Sequence, residues 1–161
     1  DILVIMVNNM VYGMTGGQIA PTTPFKAKTT TTPYGSFEHP LDTAKLAATA
    51  GAAYSARWTT AHPNELEESI KKAIQMQGFR FIEAVSQCLT AFGRRAGFKD
   101  VGEMVKWFKK NAVSIEQATK MSEVELENKI VTGEFIERKR PTLVETIQAT
   151  IKEAQKNAEK N

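Results

Sequence analysis

The chain has 161 residues, of which 42% are apolar and 24% are charged, a composition typical of a folded globular domain rather than a disordered chain. The net charge of +3 is too small to indicate nucleic-acid binding, and no apolar run reaches the roughly 20 residues that a membrane span needs. The single cysteine excludes an internal disulfide and any multi-cysteine metal site made by this chain alone.

The first predicted element is a strand. Residues 2–7 form a continuous apolar run with β-branched members, which is typical of a strand buried on both faces in a parallel sheet. The run begins directly after Asp1, without the charged segment of a signal peptide, so we interpret the chain as the downstream part of a longer polypeptide. Asn8 and Asn9 end the strand.

A long segment without periodicity extends from these asparagines to Pro40. It contains four prolines, several glycines and a run of threonines. A loop of this length in a compact domain is usually functional or disordered. Its aromatic residues favour an ordered loop that packs against the domain.

Strands and helices then alternate. Asp42 can cap a helix that ends near Gly51, and residues 53–58 follow as a strand. Asn64 can cap the next helix, and residues 79–85 form the third strand. Strands and helices that alternate with short connections predict right-handed crossovers, and therefore an α/β fold with a parallel sheet flanked by helices.

The pattern after Cys88 is mainly helical. Residues 101–111 and 122–130 are predicted helices, and Ser122 opens the second with a capping box. Pro141 begins a last helix. We therefore predict two parts, an α/β domain over 1–100 and a helical C-terminal extension over 101–161.

The end of the first strand is a candidate metal site. Ligands of open α/β sheets bind outside the carboxyl ends of the strands. The side-chain oxygen of Asn9 is a ligand that suits Mg²⁺ together with phosphate oxygens, and the carbonyl of Val11 could add a second oxygen. Consecutive asparagines also favour a plain turn, so both interpretations remain open.

The glycine-rich stretch over residues 13–18 is a candidate anion site. Glycines let backbone N–H groups approach an anion closely, although the same residues suit a tight turn. The stretch has neither the spacing of a dinucleotide-binding fingerprint nor the lysine of a P-loop.

The lone Cys88 follows the third predicted strand. It could be a buried small side chain, a nucleophile, or one ligand of a metal cluster whose other ligands lie elsewhere. His39 and His62 each stand beside a proline and lack metal-ligand spacing, so we interpret both as loop residues.

Five segments, taken in order, resemble the β subunit of 2-oxoacid:ferredoxin oxidoreductases, the subunit that binds thiamine diphosphate. They are residues 8–18, 21–24, 32–35, 78–83 and 86–95. The resemblance covers essentially the whole chain. Its most specific element is the string Tyr-Gly-Met-Thr-Gly-Gly-Gln, which begins at Tyr12, combined with the distant Cys88.

The resemblance implies a thiamine-diphosphate-binding fold, of which this chain is the C-terminal part, and it implies roles for individual residues. Asn9 would be a side-chain ligand of Mg²⁺, and Val11 would supply a carbonyl ligand. The diphosphate loop would comprise Gly13, Met14, Thr15, Gly16 and Gln18. Cys88 would be the fourth thiolate of a [4Fe–4S] cluster.

The chain also departs from the family pattern. The Gly-Asp-Gly that opens the family's thiamine-diphosphate motif is absent, as are the other three cluster cysteines, which precede this region in the family. Leu89 stands where the family commonly has proline. The chain alone would therefore complete neither centre.

The implied activity is the oxidative decarboxylation of a 2-oxoacid to an acyl-CoA, with electrons passed through the cluster to ferredoxin. No catalytic acid or base is expected from this segment, since the family's acid comes from a partner subunit. The expected partners are an α subunit, further small subunits, ferredoxin, the 2-oxoacid and coenzyme A, with no nucleic acid and no membrane, in the cytoplasm. Residues 92–95, which end in Arg94 and Arg95, resemble members that act on 2-oxoglutarate, although the two arginines also suit a plain surface pair, so both interpretations remain open.

Two other functions remain open. One is a non-oxidative thiamine-diphosphate-dependent decarboxylase, which needs no cluster ligand and so leaves Cys88 without a purpose. The other is a non-catalytic assembly module, in which the loop and the C-terminal helices serve only as a subunit interface.

Overall fold

The structure, a computed structural model, describes residues 1–158. The strands are β1 (Ile2–Asn8), β2 (Val11–Tyr12), β3 (Gln18–Ile19), β4 (Tyr54–Thr59), β5 (Phe79–Val85), β6 (Ala112–Ser114) and β7 (Ile130–Glu137). The α-helices are α1 (Thr43–Thr49), α2 (Pro63–Gln75), α3 (Val101–Asn111), α4 (Ile115–Ala118), α5 (Glu123–Leu126) and α6 (Leu143–Ala158), and a π-helical turn covers Leu89–Gly93.

Within residues 1–158 the main sheet has five strands in the order β1-β5-β4-β7-β6. β5 pairs in parallel with both β1 and β4, whereas β7 runs antiparallel to β4. The register places Val85 opposite both Asn8 and Thr59, so β1, β5 and β4 end together. We call this end of the sheet the carboxyl edge. The predicted α/β fold with a parallel sheet flanked by helices is confirmed for β1, β5 and β4, and the antiparallel β7 makes the whole sheet mostly rather than fully parallel.

Helices α1 and α2 cover opposite faces of the sheet because successive side chains of β5 alternate. Phe81 packs in a cluster with α1, and Ile82 packs in a cluster with α2. A third cluster lies at the carboxyl edge and anchors the long loop and α3. Its buried members are Met10, Val11, Val85, Phe92, Met104 and Phe108.

Several predicted elements match the structure closely. The bounds predicted for β5 and α3 are those observed, and the side chain of Asp42 caps α1 by accepting from the Lys45 N–H at 3.0 Å. The start of α2 was misplaced, since His62 occupies the N-cap position and Pro63 begins the helix. Proline is favoured there because the first helical N–H needs no partner within the helix.

The prediction that β1 is buried on both faces is wrong for the described residues. There β1 pairs only with β5 and forms the edge of the sheet. The side chains of Ile2 and Val7 are 63% and 64% exposed. Within residues 1–158 no strand pairs with the edge of β1 that faces away from β5, although the composition of β1 is that of an interior strand.

Two strands, β6 and β7, lie within the segment that was predicted to be helical, so that prediction was incomplete. The helix predicted over 122–130 ends at Leu126, although its capping box is present. β7 then adds to the sheet beside β4. The boundary near residue 100 remains a prediction.

The last helix, α6, begins two residues after Pro141, and none of its described residues is buried. None of the helices within residues 1–158 combines the length and the apolar character that crossing a bilayer requires.

Candidate functional site

The turn after β1 is built by the side chain of Asn8. Its Nδ2 donates to Glu83 Oε1 at 2.7 Å, and its Oδ1 accepts from the Met10 N–H and from Thr22 Oγ1, both at 2.8 Å. A side-chain oxygen bonded to the N–H two residues ahead is an Asx turn. The turn interpretation of the two asparagines is therefore correct for Asn8.

The backbone at Met10 adopts a left-handed conformation, with φ of 65°. This region is uncommon for residues other than glycine, and it persists only where surrounding contacts impose it. The Met10 side chain is buried in the cluster at the carboxyl edge, and its carbonyl accepts from Thr23 Oγ1 at 2.6 Å. Thr22 and Thr23 thus fix the turn from the side of the long loop.

Asn9 differs from Asn8 in having an oxygen without a donor. Its Nδ2 donates to the Ser86 carbonyl at 3.3 Å, but no N–H or O–H group of residues 1–158 donates to its Oδ1. The residue is half-buried at the carboxyl edge. A neutral amide oxygen held in this way fits the ligand requirements of Mg²⁺.

The glycine-rich loop joins the short strands β2 and β3, which begin at Val11 and end at Ile19. Gly17 has φ of 83°, and a β-carbon there would lie 2.9 Å from the Ala91 carbonyl oxygen. Glycine is therefore required at residue 17 so that the loop can contact the π-helical turn. Gly16 also has a positive φ, of 100°, but open space surrounds it.

The predicted diphosphate residues lie on the exposed side of this loop. Met14 is fully exposed, Gly13 lies against Ala91, and Thr15 Oγ1 donates to Gln18 Oε1 at 3.1 Å. Exposed N–H groups of a glycine loop can approach an anion. The loop therefore leaves room for a diphosphate on its exposed side.

Cys88 lies at the same edge, just after β5. Its carbonyl accepts from the N–H groups of Phe92 and Gly93, which starts the π-helical turn, and the residue is half-buried. Ser86, the partner of Asn9, precedes it by two residues, so the structure brings both predicted metal-ligand positions to one edge. Residues 1–158 contain no group of three or more His, Cys, Asp or Glu side chains that could hold a metal ion. One thiol fits a single position of a cluster.

The remaining polar residues of the sequence analysis lie apart from this turn. Arg94 and Arg95 are exposed just after the π-helical turn, and no ion pair joins them to the described residues. His39 stacks on Phe25 with ring centroids 4.6 Å apart, and His62 shares a hydrogen bond of 2.8 Å with Thr59. Both histidines are loop residues, as expected.

A buried ionic network next to Asn8 was not predicted. Arg57 Nε lies 2.7 Å from Glu83 Oε2, and Arg57 Nη2 lies 2.5 Å from Asp42 Oδ1. Burial alone would lower the pKa of Arg57, but the charges of Glu83 and Asp42 outweigh burial and raise it. The sequence did contain a signal for this network, because Arg57 and Glu83 are charged residues inside two predicted strands and buried charges need partners.

The same balance keeps Asp42 ionised. Burial alone would raise the pKa of its carboxyl group, but the charge of Arg57 and the hydrogen bond from the Lys45 N–H hold that pKa below its ordinary value. The network forms one wall of a cavity of about 570 Å³, whose other walls include Phe25, His39 and the segment around α5.

Comparisons with known proteins show which family this chain belongs to. Residues 1–84 match the family described as thiamine pyrophosphate enzyme, C-terminal TPP binding domain. The chain is 52% identical over 151 residues to 2-oxoglutarate synthase subunit KorB of Methanocaldococcus jannaschii, an alignment that covers 94% of this chain and 56% of that protein. It is 49% identical over 153 residues to the subunit of the same name from Methanothermobacter marburgensis, covering 95% and 54%.

A solved structure is also similar. It is described as 2-oxoglutarate:ferredoxin oxidoreductase from Magnetococcus marinus with 2-oxoglutarate, coenzyme A and succinyl-CoA bound. The TM-score is 0.72 at 28% identity, over 95% of this chain and 52% of that one. The chain thus spans about half the length of these relatives.

Proposed function

We propose, from the premise that this chain belongs to the family of thiamine pyrophosphate enzymes with a C-terminal TPP binding domain, that it forms the metal- and diphosphate-binding edge of a 2-oxoacid:ferredoxin oxidoreductase β subunit. The family resemblance drawn from the sequence is confirmed, and it is strongest to the 2-oxoglutarate enzymes. The proposed reaction is the oxidative decarboxylation of 2-oxoglutarate. We propose that it takes place in a cytoplasmic complex with an α subunit, to which further small subunits can be added.

One observation carries the proposal. Of two adjacent asparagines at the carboxyl edge, Asn8 uses both ends of its amide in hydrogen bonds to protein groups, whereas Asn9 keeps an oxygen that accepts from nothing in residues 1–158. A turn alone needs only Asn8. A free oxygen on Asn9 is what a side-chain ligand of Mg²⁺ requires, with the Val11 carbonyl as the second ligand from this chain.

The glycine loop would hold the diphosphate beside this metal. The proposed contacts are Gly13 and Met14, with Thr15, Gly16 and Gln18 shaping the loop. The contact of Gly17 with Ala91 supports the assignment because it fixes the loop against the segment that carries Cys88. Thiamine diphosphate, when bound, supplies the electron sink for decarboxylation.

The residues of this chain would bind and orient, and none would act as an acid or a base. Asn9 would neutralise and fix the diphosphate through Mg²⁺, and Cys88 would be one thiolate of a [4Fe–4S] cluster whose other ligands lie outside residues 1–161. The overall reaction converts a 2-oxoacid and coenzyme A to an acyl-CoA, carbon dioxide, one proton and two electrons, which two ferredoxin molecules accept singly.

The preference for 2-oxoglutarate would involve Arg94 or Arg95. A guanidinium group can bind a carboxylate through two parallel hydrogen bonds, and 2-oxoglutarate carries a second carboxylate far from its keto group. Both arginines are exposed just after the π-helical turn that follows Cys88, without an ion pair to any described residue, which leaves them available to a substrate.

Replacing Asn9 tests the metal assignment. In the full-length assembled enzyme, Asn9→Ala is expected to raise the Mg²⁺ concentration needed for thiamine diphosphate binding at least about tenfold, because a ligand is lost. Titration of thiamine diphosphate at several Mg²⁺ concentrations measures this. Asn64→Ala, which removes an exposed asparagine on α2, is the matched control. Equal binding in both variants would contradict the proposal and favour an assembly module.

The thiol is tested separately. Cys88→Ser is expected to reduce the iron content and the broad visible absorption of the assembled enzyme while thiamine diphosphate binding persists, because the two centres use different residues. Unchanged iron content and absorption in the variant would exclude Cys88 as a cluster ligand, and an unmodified assembled enzyme without iron would favour a non-oxidative decarboxylase.

A further inference from the structure

The side chain of Glu83 lies behind the turn that presents Asn9, although it does not contact Asn9. Its Oε1 accepts from Asn8 Nδ2 at 2.7 Å, and the residue is 2% exposed in the interior of the sheet. We propose that Glu83 is a positioning residue for the Mg²⁺ ligand Asn9, acting through the orientation of the Asn8 amide. This inference rests on the proposed function and adds a residue that neither the sequence motifs nor the comparisons assign.

Glu83 is held as an acceptor by three donors. Besides Asn8, Arg57 Nε donates to Oε2 at 2.7 Å, and Thr43 Oγ1 donates to the same oxygen at 2.6 Å. A carboxylate offers acceptors only, so all three hydrogen bonds are satisfied together. Arg57 is itself fixed by Asp42 and by the Val131 carbonyl of β7.

The polarity of Glu83 decides which way the Asn8 amide faces. An amide has an N–H₂ end and a carbonyl end, and an acceptor at residue 83 attracts the N–H₂ end. The carbonyl end must then face Met10 and Thr22, from which it accepts two hydrogen bonds at 2.8 Å. These bonds hold the left-handed backbone at Met10, between Asn9 and Val11. The positions of both proposed metal ligands therefore depend on a carboxylate they do not touch.

Glu83→Gln should place a donor next to Asn8 where the carboxylate oxygen now accepts, without changing the size of the side chain. Arg57 and Thr43 retain the carbonyl oxygen of the new amide, so its N–H₂ group faces Asn8. If Asn8 keeps its orientation, two N–H₂ groups meet; if it turns over, its N–H₂ group meets the Met10 N–H. Either arrangement leaves a buried donor without an acceptor and weakens the turn.

A second substitution should repair the defect. In the double variant Glu83→Gln with Asn8→Asp, the new amide at position 83 donates to one oxygen of the new carboxylate at position 8, while the other oxygen accepts from Met10 and Thr22. The charge moves from position 83 to position 8, and the net charge of the chain is unchanged. Asn8→Asp alone should be defective because two carboxylates then face each other.

The experiment measures the Mg²⁺ dependence of thiamine diphosphate binding in the full-length assembled enzyme, together with thermal unfolding. Each single variant is expected to need about 10- to 100-fold more Mg²⁺ for half-maximal binding, the effect typical of residues that orient a ligand. The double variant is expected to return to within about threefold of the unmodified enzyme, because the two sites are coupled. High Mg²⁺ should restore binding to each single variant.

Tyr54→Phe is the control, a variant in which the chain should lose stability while the proposed Mg²⁺ ligands keep their positions. It removes a buried hydrogen bond between the Tyr54 hydroxyl and Ser69 on the α2 face, the opposite face of the sheet from Glu83. It should lower the thermal midpoint and leave the Mg²⁺ dependence unchanged. A similar Mg²⁺ defect in Tyr54→Phe would reduce the Glu83 effect to general destabilisation and would overturn the proposal.

The outcomes separate the inference from the proposed function. If Asn9→Ala binds thiamine diphosphate and Mg²⁺ normally, both are overturned. If Asn9→Ala is defective while Glu83→Gln is normal, or if the double variant is no better than the single variants, only the positioning role is overturned. If Glu83→Gln fails to fold, Thr22→Val decides: losing one hydrogen bond to Asn8 should weaken Mg²⁺ binding about two- to tenfold, and no change would overturn the proposal.

Discussion

Two side-chain networks lie on opposite faces of the same sheet, and both span β4 and β7. On the α1 face, Arg57 joins Glu83, Asp42 and a β7 carbonyl, with its own side chain only 10% exposed. On the α2 face, the Tyr54 hydroxyl donates to Glu134 at 2.9 Å and shares a hydrogen bond of 2.8 Å with Ser69. Lys72 then pairs with Glu134 at 2.7 Å, at 38% exposure.

The difference between the two networks is where each one ends. The α1-face network ends at Asn8 and the turn of the carboxyl edge, with Arg57 and Glu83 buried and Asp42 partly exposed. The α2-face network ends in solvent, where ion pairs contribute little because water screens them. Burial is the main cause that raises the pKa of Tyr54 far above its ordinary value, so its hydroxyl remains a donor. One network can position a site, whereas the other only ties α2 and β7 to the sheet.

Breaking the α1-face network should have the largest effect on stability. Arg57→Met leaves the buried Glu83 without its cation and removes a partner of the partly exposed Asp42; breaking a buried pair in this way typically costs about 3–5 kcal/mol. Chemical denaturation of the full-length subunit measures the free energy of unfolding. A loss below about 1 kcal/mol, typical of an exposed pair, would show that the two networks are energetically alike.

Breaking the α2-face network should have an intermediate effect. Tyr54→Phe removes one neutral hydroxyl donor while keeping the ring, so the free energy of unfolding should fall by about 1 kcal/mol. The same denaturation experiment compares it directly with Arg57→Met. A loss as large as that of Arg57→Met would contradict the distinction drawn here.

Acid should remove a smaller part of the stability, through Asp42. The pKa of Asp42 in the folded chain lies below its ordinary value of 3.8, so its ionised form stabilises the fold above that value. This contribution is lost as the pH falls through the folded pKa. Asp42→Asn should therefore flatten the decline in unfolding free energy below about pH 4. Asp100→Asn, which removes the N-cap carboxylate of α3, is the control. An unchanged slope in Asp42→Asn would contradict the prediction.

Local signals in the sequence predicted much of the fold. The capping side chains of Asp42 and Ser122 and the apolar run of β5 act over a few residues, so they could be read directly. The strand β7 could not be predicted in this way. Its register against β4 shifts at a bulge between Ser55 and Ala56, and Gly133 interrupts its sequence pattern. A bulge disturbs the two-residue alternation on which strand prediction depends.

The site was predictable only where a motif marks it. The sequence placed Asn9, the glycine loop and Cys88 near strand ends, but it left turn and ligand as alternatives for the asparagine pair. The hydrogen bonds that divide these roles join Asn8 to Glu83, 75 residues away, and Arg57 to Glu83, 26 residues away. Such contacts depend on the pairing of β1, β5 and β4, which no local pattern specifies.

The absence of a β-carbon at Gly17 lets the glycine loop and the π-helical turn approach each other more closely than another residue would allow. Because the Ala91 carbonyl oxygen lies only 2.9 Å from where that carbon would be, any larger residue at position 17 would push the two segments apart. A group held by the glycine loop and a group held by Cys88 would therefore lie at a separation that Gly17 helps to set. In an enzyme that transfers electrons between two such centres, the residue at position 17 would influence the transfer distance and hence the rate.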